Sequence, residues 1–396
     1  IGRMYQIAES NDGALFYSDY QEIRQGKKIH HPTLEYQTGS IRNDFDFGQL
    51  LLFRNDSFQQ VVAQMNTDYR FAALYELRLS ISRLGKIVHI PETLYTVQPT
   101  DLRLSGEKQF DYVDPANREV QLEMEAVCTA HLQAIGAWLA PEFQRIDFGQ
   151  ENFAREASVI IPVRNRKRTI AEAVESALQQ QTDFSFNVIV VDNHSTDSTG
   201  QILTELSRRY PNLIHHIPAS TELGIGGCWT EAILLPECGK FAIQLDSDDL
   251  YKDCHVLQRI VDTFYQENCA MVIGSYQMVD FKLEEIPPGL IAHREWTPDN
   301  GRNNALRING LGAPRAFYTP VLRQIKFPNV SYGEDYATAL AISRKYPIAR
   351  IYDPLYLCRR WEENSDHDLD IQQLNNYNFY KDKIRTLEIQ ARISGK

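Results

Sequence analysis

From Ala157 onward the sequence alternates short apolar runs with segments of helical periodicity, and this alternation limits the fold more than any other feature. The apolar runs have the length of strands, and the segments between them place their apolar residues on one face of a helix. Strands and helices in alternation form a parallel sheet covered by helices. We therefore predict an α/β fold for this part of the chain. The predicted strands are 157–163, 188–191, 213–217 and 241–245, and the predicted helices are 169–180, 198–210 and 227–235.

Carboxylates stand where two of these strands end. Asp192 follows the second strand, and Asp246-Ser247-Asp248-Asp249 follows the fourth. In open parallel sheets the ligand crevice lies outside the carboxyl ends of the strands, so we expect these side chains to face one cleft. Clustered oxygens suit Mg²⁺ or Mn²⁺ held together with substrate phosphates. A cap on the following helix explains Asp248 and Asp249 equally well.

The composition excludes several classes of protein. A formal net charge of -11 argues against a nucleic-acid binder, which would show a basic face. No run approaches the length of a membrane span, and no signal-peptide pattern is present. The six scattered cysteines contain no CxxC pair, which favours reduced thiols. We therefore expect a cytoplasmic protein, for which peripheral membrane association stays open, and a fragment of a longer one, since it begins at Ile1.

The first hundred residues resemble a later part of the chain. Tyr75 to Tyr95 aligns with Tyr336 to Tyr356 without a gap. Two earlier blocks follow the same order, with 16–19 matching 245–248 and 48–53 matching 312–317. We therefore predict a partial, degenerate copy of the domain that follows. The expected parts are a non-catalytic half-domain over 1–105, a helical linker over 106–155, the main α/β domain over 156–366 and a C-terminal helix over 367–396.

Five blocks of the main domain occur in an order and spacing that resemble a known family. They are Pro162-Val163-Arg164-Asn165-Arg166, the run from Val190 to Thr199, Leu223-Gly224-Ile225-Gly226-Gly227, Leu245 to Asp249, and Tyr332-Gly333-Glu334-Asp335. This set resembles the family 2 glycosyltransferases, which are inverting enzymes with the Rossmann-like GT-A fold. The resemblance covers about residues 157–365, and it extends to glycosyltransferases of bacterial cell-surface polysaccharide synthesis.

The resemblance implies an activity and a role for each matched residue. A sugar would pass from a nucleotide-diphosphate donor to a hydroxyl of a glycan or lipid-linked acceptor, with inversion and with Mn²⁺ or Mg²⁺ as cofactor. Asp335 matches the general base that deprotonates the acceptor hydroxyl, a task that suits a carboxylate in a partly desolvated cleft. The implied donor-binding residues are Pro162, Val163, Arg164, Asp192, Asp246, Arg359, Arg360 and Trp361. The implied metal ligands are Asp248, Asp246 and His367, and the implied acceptor residues are Glu334 and Trp296. The polar segment 296–309 is interpreted as a lid on the acceptor side.

Other interpretations remain open at the level of sequence. Glu334 and Asp335 also suit the first turn of a helix, although the internal repeat has Leu74 at the position of Asp335. The basic run 357–361 also fits a solvated turn, and His367 also fits an ordinary surface position. A sugar nucleotidyltransferase would share the fold, but residues 162–168 lack the glycines of its phosphate loop. A non-catalytic sugar- or nucleotide-binding module is the third alternative, and it is the interpretation favoured for residues 1–100.

Overall fold

The structure is a computed structural model, and it describes residues 1–24, 26–66, 68–98, 117–149, 151–361 and 369–395. The chain divides into two compact units. The first unit comprises Ile1–Ala140, Thr297–Asn309 and Asp368–Lys396, and the second comprises Pro141–Trp296 and Gly310–His367. No helix in the described ranges combines the length and the apolar character that a membrane span needs.

Helices and strands are numbered in chain order. The helices are α1 (Gly2–Ser10), α2 (Asn55–Val62), α3 (Ala73–Leu84), α4 (Arg118–Ala134), α5 (Ile170–Leu178), α6 (Thr199–Arg209), α7 (Ile225–Leu234), α8 (Val256–Glu267), α9 (Gly301–Asn304), α10 (Thr319–Ile325), α11 (Glu334–Ser343) and α12 (Ile371–Ile393). The strands are β1 (Gly13–Arg24), β2 (Lys27–His31), β3 (Leu52–Phe53), β4 (Lys86–Val97), β5 (Ala157–Val163), β6 (Phe186–Asp192), β7 (Leu213–His216), β8 (Phe241–Gln244), β9 (Leu250–Tyr251), β10 (Met271–Val279), β11 (Glu285–Ile291), β12 (Arg315–Tyr318) and β13 (Ile348–Arg359).

The second unit contains a mixed sheet in which the four predicted strands run parallel to one another and other strands pair antiparallel. Its strand order is β7-β6-β5-β8-β12-β10-β13-β9, with β11 paired to β10. β5 runs parallel to β6 and β8, and β6 runs parallel to β7. Nearly every residue of β5 and β6 is buried, as apolar strands covered on both faces require. The predicted α/β fold is confirmed, and these four strands begin and end within two residues of the predicted bounds.

The sheet brings the ends of several strands to one edge. Because β5, β6 and β8 are parallel, their last residues Val163, Asp192 and Gln244 lie on the same side. β12 runs antiparallel to β8, with Ala316 opposite Ile243. The start of β12, at Arg315, therefore lies beside the end of β8, at Gln244. This edge is where the candidate site is built.

Two glycines fit the start of α11 against the sheet edge. Gly333 adopts a φ of 79°, a left-handed conformation that favours glycine, and α11 begins at the next residue. A side chain at Gly226 would place its Cβ 2.0 Å from the carbonyl oxygen of Pro328 and 3.0 Å from the Cβ of Glu334. The close approach of α7 to the segment before α11 therefore requires glycine at position 226.

The first unit has a sheet of its own, centred on β1. β1 pairs antiparallel with β2 and β3 and parallel with β4. In the second unit, β10 pairs antiparallel with β11 and β12 and parallel with β13. The shared pairing pattern supports the prediction that the first unit contains a degenerate half-copy of the second.

The strand pairing shows that one of the three matched blocks of the predicted repeat was aligned with the wrong strand. Leu15 pairs with Phe53 and Ile87, and Met271 pairs with Phe317 and Ile348. β1 therefore corresponds to β10, and residues 16–19 do not correspond to the acidic segment 245–248. Asp19 takes the place of Ser275 in this register. Short apolar blocks look alike whichever strand they come from, so only the pairing reveals the right partner.

The segment interpreted as a lid is part of the first unit, and that interpretation is wrong. The Asn300 amide donates to Glu125 Oε1 at 2.8 Å and to Thr129 Oγ1 at 2.9 Å. Arg307 is buried and donates to Gln121 Oε1 at 2.7 Å. A segment whose polar groups are bonded inside a packed unit cannot open and close as a lid does.

The unit boundaries also differ from the predicted ones. α4, expected in a linker, packs against α3 and α9 within the first unit. α12, expected as a separate C-terminal helix, carries buried Asp382, which accepts hydrogen bonds from Ser40 at 3.0 Å and from Arg385 at 2.8 Å. Both helices therefore contribute to the interior of the first unit.

Candidate active site

A cavity of about 300 Å³ lies at the strand-end edge of the second unit. It collects four acidic residues that the sequence nominated, Asp246, Asp248, Glu334 and Asp335, although about ninety positions separate the two pairs. Its lining consists of Pro162, Arg166, Ile225, Trp229, Gln244, Asp246, Ser247, Asp248, Asp249, Arg315, Phe317, Phe327, Glu334, Asp335, Cys358 and Arg360. The cavity thus combines carboxylates, guanidinium groups and an aromatic wall.

Asp246 and Asp249 belong to the acidic turn after β8. The Gln244 side-chain amide donates to both carboxylate oxygens of Asp246, at 2.9 and 3.0 Å. The Arg359 backbone N–H donates to Asp249 Oδ1 at 2.8 Å. Burial raises the pKa of both carboxyl groups, and the charge of Asp248 raises each pKa further. The turn is therefore a place where negative charges crowd in a poorly hydrated setting.

Asp248 lies among cationic and aromatic side chains. Trp361 donates its indole N–H to Asp248 Oδ2 at 3.1 Å, and Arg166 Nε is 3.9 Å from the same oxygen. The guanidinium of Arg168 lies 5.1 Å from the centre of the Trp361 ring, a cation–π distance. This side of the cavity therefore has positive charge close to the carboxylate.

Glu334 and Asp335 begin α11 and have different surroundings. Glu334 is 9% exposed, and its Oε2 is buried without a hydrogen-bond partner in the described part of the chain. Burial and the neighbouring charge of Asp335 raise the pKa of Glu334 to about 8. Asp335 instead forms an ion pair with Arg315 on β12. The first acid is thus held neutral near pH 7, while the second has a cationic partner.

Asp192, expected to hold the nucleoside, is engaged elsewhere. It is 2% exposed, and it accepts hydrogen bonds from Ser195 N–H at 2.9 Å and from His215 Nε2 at 3.3 Å. Burial by itself would raise the pKa of Asp192, but the hydrogen bonds from His215 and Ser195 outweigh it and lower the pKa. Asp192 organises the loop after β6 and does not line the cavity.

Arg359 also has a different place from the expected one. Its side chain is buried, donates to the backbone carbonyl of Asp248 and pairs with Glu172. Arg359 therefore holds the acidic turn in shape, whereas the neighbouring Arg360 lines the cavity. Arg359 is the last residue of β13 and Arg360 is the first residue after it, so the two side chains take different directions at the strand end.

The remaining predicted site residues divide between the cavity and other places. Pro162 lines the cavity, whereas Val163 is buried beside it and Arg164 is exposed. Trp296 is 7% exposed and outside the lining, so its assignment to the acceptor gains no support. His367 lies outside the described residues. Within the described ranges, no three or more His, Cys, Asp or Glu side chains are arranged as a metal site.

The sequence interpretation missed Gln244 and Arg315. Both are polar residues in otherwise apolar strands, Phe-Ala-Ile-Gln and Arg-Ala-Phe-Tyr. A polar group at the end of a core strand needs a hydrogen-bond partner, and that need points to a site. The aromatic wall was missed as well, because Trp229, Phe317 and Phe327 also suit an ordinary core.

Comparison with known proteins identifies the segment that carries most of this cavity, although Phe327, Glu334, Asp335, Cys358 and Arg360 lie beyond it. Residues 158–325 match the family model described as Glycosyl transferase family 2. This part of the chain belongs to glycosyltransferase family 2. The predicted family, and with it the GT-A fold, is confirmed.

Individual relatives of this family 2 domain share about a quarter to a third of their residues with it over the matched segments. Poly(ribitol-phosphate) beta-glucosyltransferase of Bacillus spizizenii is 25% identical over 230 residues, which cover 56% of the chain and 35% of that relative. An uncharacterized glycosyltransferase of Nostoc sp. is 32% identical over 123 residues, which cover 31% of the chain and 37% of the relative. The chain therefore spans about a third of the length of these curated relatives. Among solved structures, S. aureus TarS 1–349 in complex with UDP-GlcNAc is 22% identical, with a TM-score of 0.46, over 60% of this chain and 72% of that one.

Proposed function

We propose that the second unit transfers a sugar from a nucleotide-diphosphate donor to a hydroxyl group of an acceptor, with inversion at the anomeric carbon. The observation that carries this proposal is the convergence of Asp246, Asp248 and Asp335 on one cavity. Such a reaction needs a donor side that tolerates phosphate charge and an acceptor side with a base. The lining of this cavity includes arginines for the first and the carboxylate of Asp335 for the second.

Asp335 is the proposed general base. A sugar hydroxyl is a poor nucleophile until its proton is removed, and a positioned carboxylate that accepts this proton contributes about 10²- to 10⁴-fold to the rate. Asp335 lines the cavity and its side chain is 25% exposed, so an acceptor hydroxyl can reach it. Glu334, neutral near pH 7, then serves as a hydrogen-bonding group for the acceptor and not as a second base.

Asp246 and Asp248 suit a divalent cation. Both are hard oxygen donors at the cavity, and the charge of Asp248 raises the pKa of Asp246, a repulsion that a cation would relieve. Asp248 and Asp246 are therefore the residues proposed to hold Mn²⁺ or Mg²⁺. His367 is proposed as a further ligand on the basis of the sequence alone. A bound cation would neutralise the charge that develops on the leaving diphosphate. Arg166 and Arg360 offer planar, multidentate groups for phosphate oxygens on the same side.

The proposed acceptor is a glycan, a lipid-linked glycan or a poly(polyol phosphate) of the bacterial cell surface. The last class is suggested by the name of the Bacillus spizizenii relative, a poly(ribitol-phosphate) beta-glucosyltransferase. The place proposed for this reaction is the cytoplasm, where nucleotide sugars are made.

The first unit is proposed to be non-catalytic. In the predicted repeat, Leu74 takes the place of Asp335, and Leu74 is 57% exposed. In the strand register, Asp19 corresponds to Ser275 and not to a residue of the acidic turn. In the described part of the first unit, no acid therefore takes the place of Asp335, and none is matched to the acidic turn, which argues against the same reaction in this unit.

Two measurements test the proposal. Calorimetry with UDP, GDP and dTDP, each with Mn²⁺ or with EDTA, is expected to show binding of one nucleotide only in the presence of the cation. Sugar nucleotides of that base, offered with poly(ribitol phosphate), are then expected to release the nucleoside diphosphate and label the polymer. Binding without transfer to any acceptor would favour the non-catalytic module. Synthesis of a sugar nucleotide from a sugar 1-phosphate and a nucleoside triphosphate would favour the nucleotidyltransferase.

A further inference from the structure

A chain of hydrogen bonds and one ion pair joins two carboxylates of the cavity lining, those of Asp335 and Asp246. Asp335 pairs with the terminal guanidinium nitrogen of Arg315. Arg315 Nε donates to Gln244 Oε1 at 3.0 Å, and the Arg315 backbone N–H donates to the same oxygen at 3.1 Å. The Gln244 amide nitrogen in turn donates to both oxygens of Asp246. The order is Asp335, Arg315, Gln244, Asp246.

The neighbouring strands make this chain rigid. Gln244 ends β8 and Arg315 begins β12, and the two strands are paired from the next residue inward. Gln244 is 4% exposed, and its backbone carbonyl accepts from Tyr251 Oη at 2.9 Å. The orientation of the Gln244 side chain is fixed as well, because its oxygen accepts from Arg315 while its nitrogen donates to Asp246. Arg315 therefore has little freedom to leave Asp335.

We propose that Arg315 is a positioning residue for the general base. Its planar guanidinium uses Nε to anchor on Gln244 and a terminal nitrogen to hold one oxygen of Asp335, so that the carboxylate keeps one orientation in the cavity that the acceptor hydroxyl would enter. The charge of Arg315 also offsets the repulsion among Asp335, Asp246 and Glu334, which are the three acids that raise the pKa of Arg315 against the opposing effect of burial. This inference rests on the proposed function, since it assigns Asp335 the role of base.

A lysine cannot make the same arrangement. Its ammonium is a single point of charge, whereas the arginine fork makes two contacts in fixed directions. Arg315→Lys should therefore keep the neutralising charge and lose the alignment, and Arg315→Met should lose both. A misplacement of about 1 Å at a reacting group can cost about 100-fold in rate.

The test compares Arg315→Met and Arg315→Lys with Arg259→Met in the full chain. Arg259 is a suitable control because it pairs with Asp253 at 2.6 Å, also within the second unit, and does not line the cavity. Arg315→Met should lower kcat about 100-fold and leave the affinity for UDP with Mn²⁺ within about threefold. The acid limb of its kcat profile should move to higher pH, because loss of the cation favours the protonated form of the base. Arg315→Lys should show a smaller pH displacement with a similar loss of kcat.

The possible failures are distinguishable. A wild-type chain that transfers no sugar from any donor contradicts the proposed function, and the inference falls with it. If the wild type is active and Arg315→Met retains kcat within threefold, or loses only affinity for the donor, the positioning role alone is overturned. A variant with lower thermal stability but an unmoved pH profile would likewise reduce Arg315 to a structural residue.

Discussion

The indole N–H of Trp361 donates a hydrogen bond to Oδ2 of Asp248, which is a proposed metal ligand. The hydrogen bond measures 3.1 Å, and the Trp361 ring is flanked by the guanidinium of Arg168. A cation that bound to Asp248 through the same oxygen would compete with this N–H for the negative charge of that oxygen. Trp361 and the cation are therefore competitors for one carboxylate.

Replacing Trp361 with phenylalanine tests this competition. Phe keeps an aromatic face for Arg168 but has no N–H, so Asp248 loses a donor that competes with the cation. We expect Trp361→Phe to bind Mn²⁺ alone about 3- to 10-fold more tightly, in line with about 1 kcal/mol for one hydrogen bond. Calorimetric titration of Mn²⁺ without nucleotide measures it. Affinity equal to or below that of the wild type would mean that the hydrogen bond does not oppose the cation.

The base assignment predicts a separation of binding from turnover. Asp335→Asn removes the group that accepts the proton but keeps its shape, so we expect UDP with Mn²⁺ to bind as before and kcat to fall by about 10²- to 10⁴-fold. Calorimetry and initial rates measure the two effects. Asp262→Asn is the matched control, because Asp262 is an exposed residue of α8 outside the cavity. Full activity of Asp335→Asn would show that another group accepts the proton.

Removal of the cation should weaken nucleotide binding. With EDTA, the diphosphate would meet Asp246 and Asp248 without an intervening positive charge, so we expect its affinity to fall at least tenfold. Asp248→Asn should lower the affinity in Mn²⁺ and shrink the difference between Mn²⁺ and EDTA. Parallel titrations of the wild type and the variant under both conditions measure this. Equal affinity of the wild type in Mn²⁺ and in EDTA would remove the metal from the proposal.

The sequence predicted the strands of the second unit well because their character is local. Val159, Ile160 and Ile161 are β-branched and buried on both faces, and no distant contact is needed to recognise such a strand. Asp246 and Asp335, named from the family pattern, line one cavity because the acidic turn follows β8 and α11 begins near the same edge, and their roles stay predictions. What a residue does at that edge was harder to foresee.

Arg359 and Arg360 show the limit of sequence reasoning. They are adjacent and chemically identical, yet one is buried under the acidic turn and the other lines the cavity. The difference arises because β13 ends at Arg359, with Arg359 paired to Val279 and Arg360 beyond the strand, and the sequence does not reveal that end. The segment 297–309 failed for a related reason. Its polar residues look like a loop, but their partners Gln121 and Glu125 lie far away in sequence, on α4.

Glu334 makes the stability of the chain depend on pH. Its pKa is about 8 in the folded chain against an ordinary value of 4.5, so between these limits the folded state binds more protons than the unfolded state. The free energy of unfolding should therefore decrease as the pH rises from about 4.5 to about 8, and above that pH this group should lower it no further. Glu334→Gln keeps the neutral shape at every pH. Its stability relative to the wild type should grow through this window and exceed 1 kcal/mol by about pH 8, since one pKa unit corresponds to about 1.4 kcal/mol. Urea unfolding of both proteins at pH 5, 6.5 and 8 measures the difference.

The control is Glu175→Gln in α5, outside the cavity, for which no such trend is expected. A difference between Glu334→Gln and wild type that stays constant over this range would mean that Glu334 is ionised in the folded chain, and that it cannot act as a neutral hydrogen-bonding group beside Asp335.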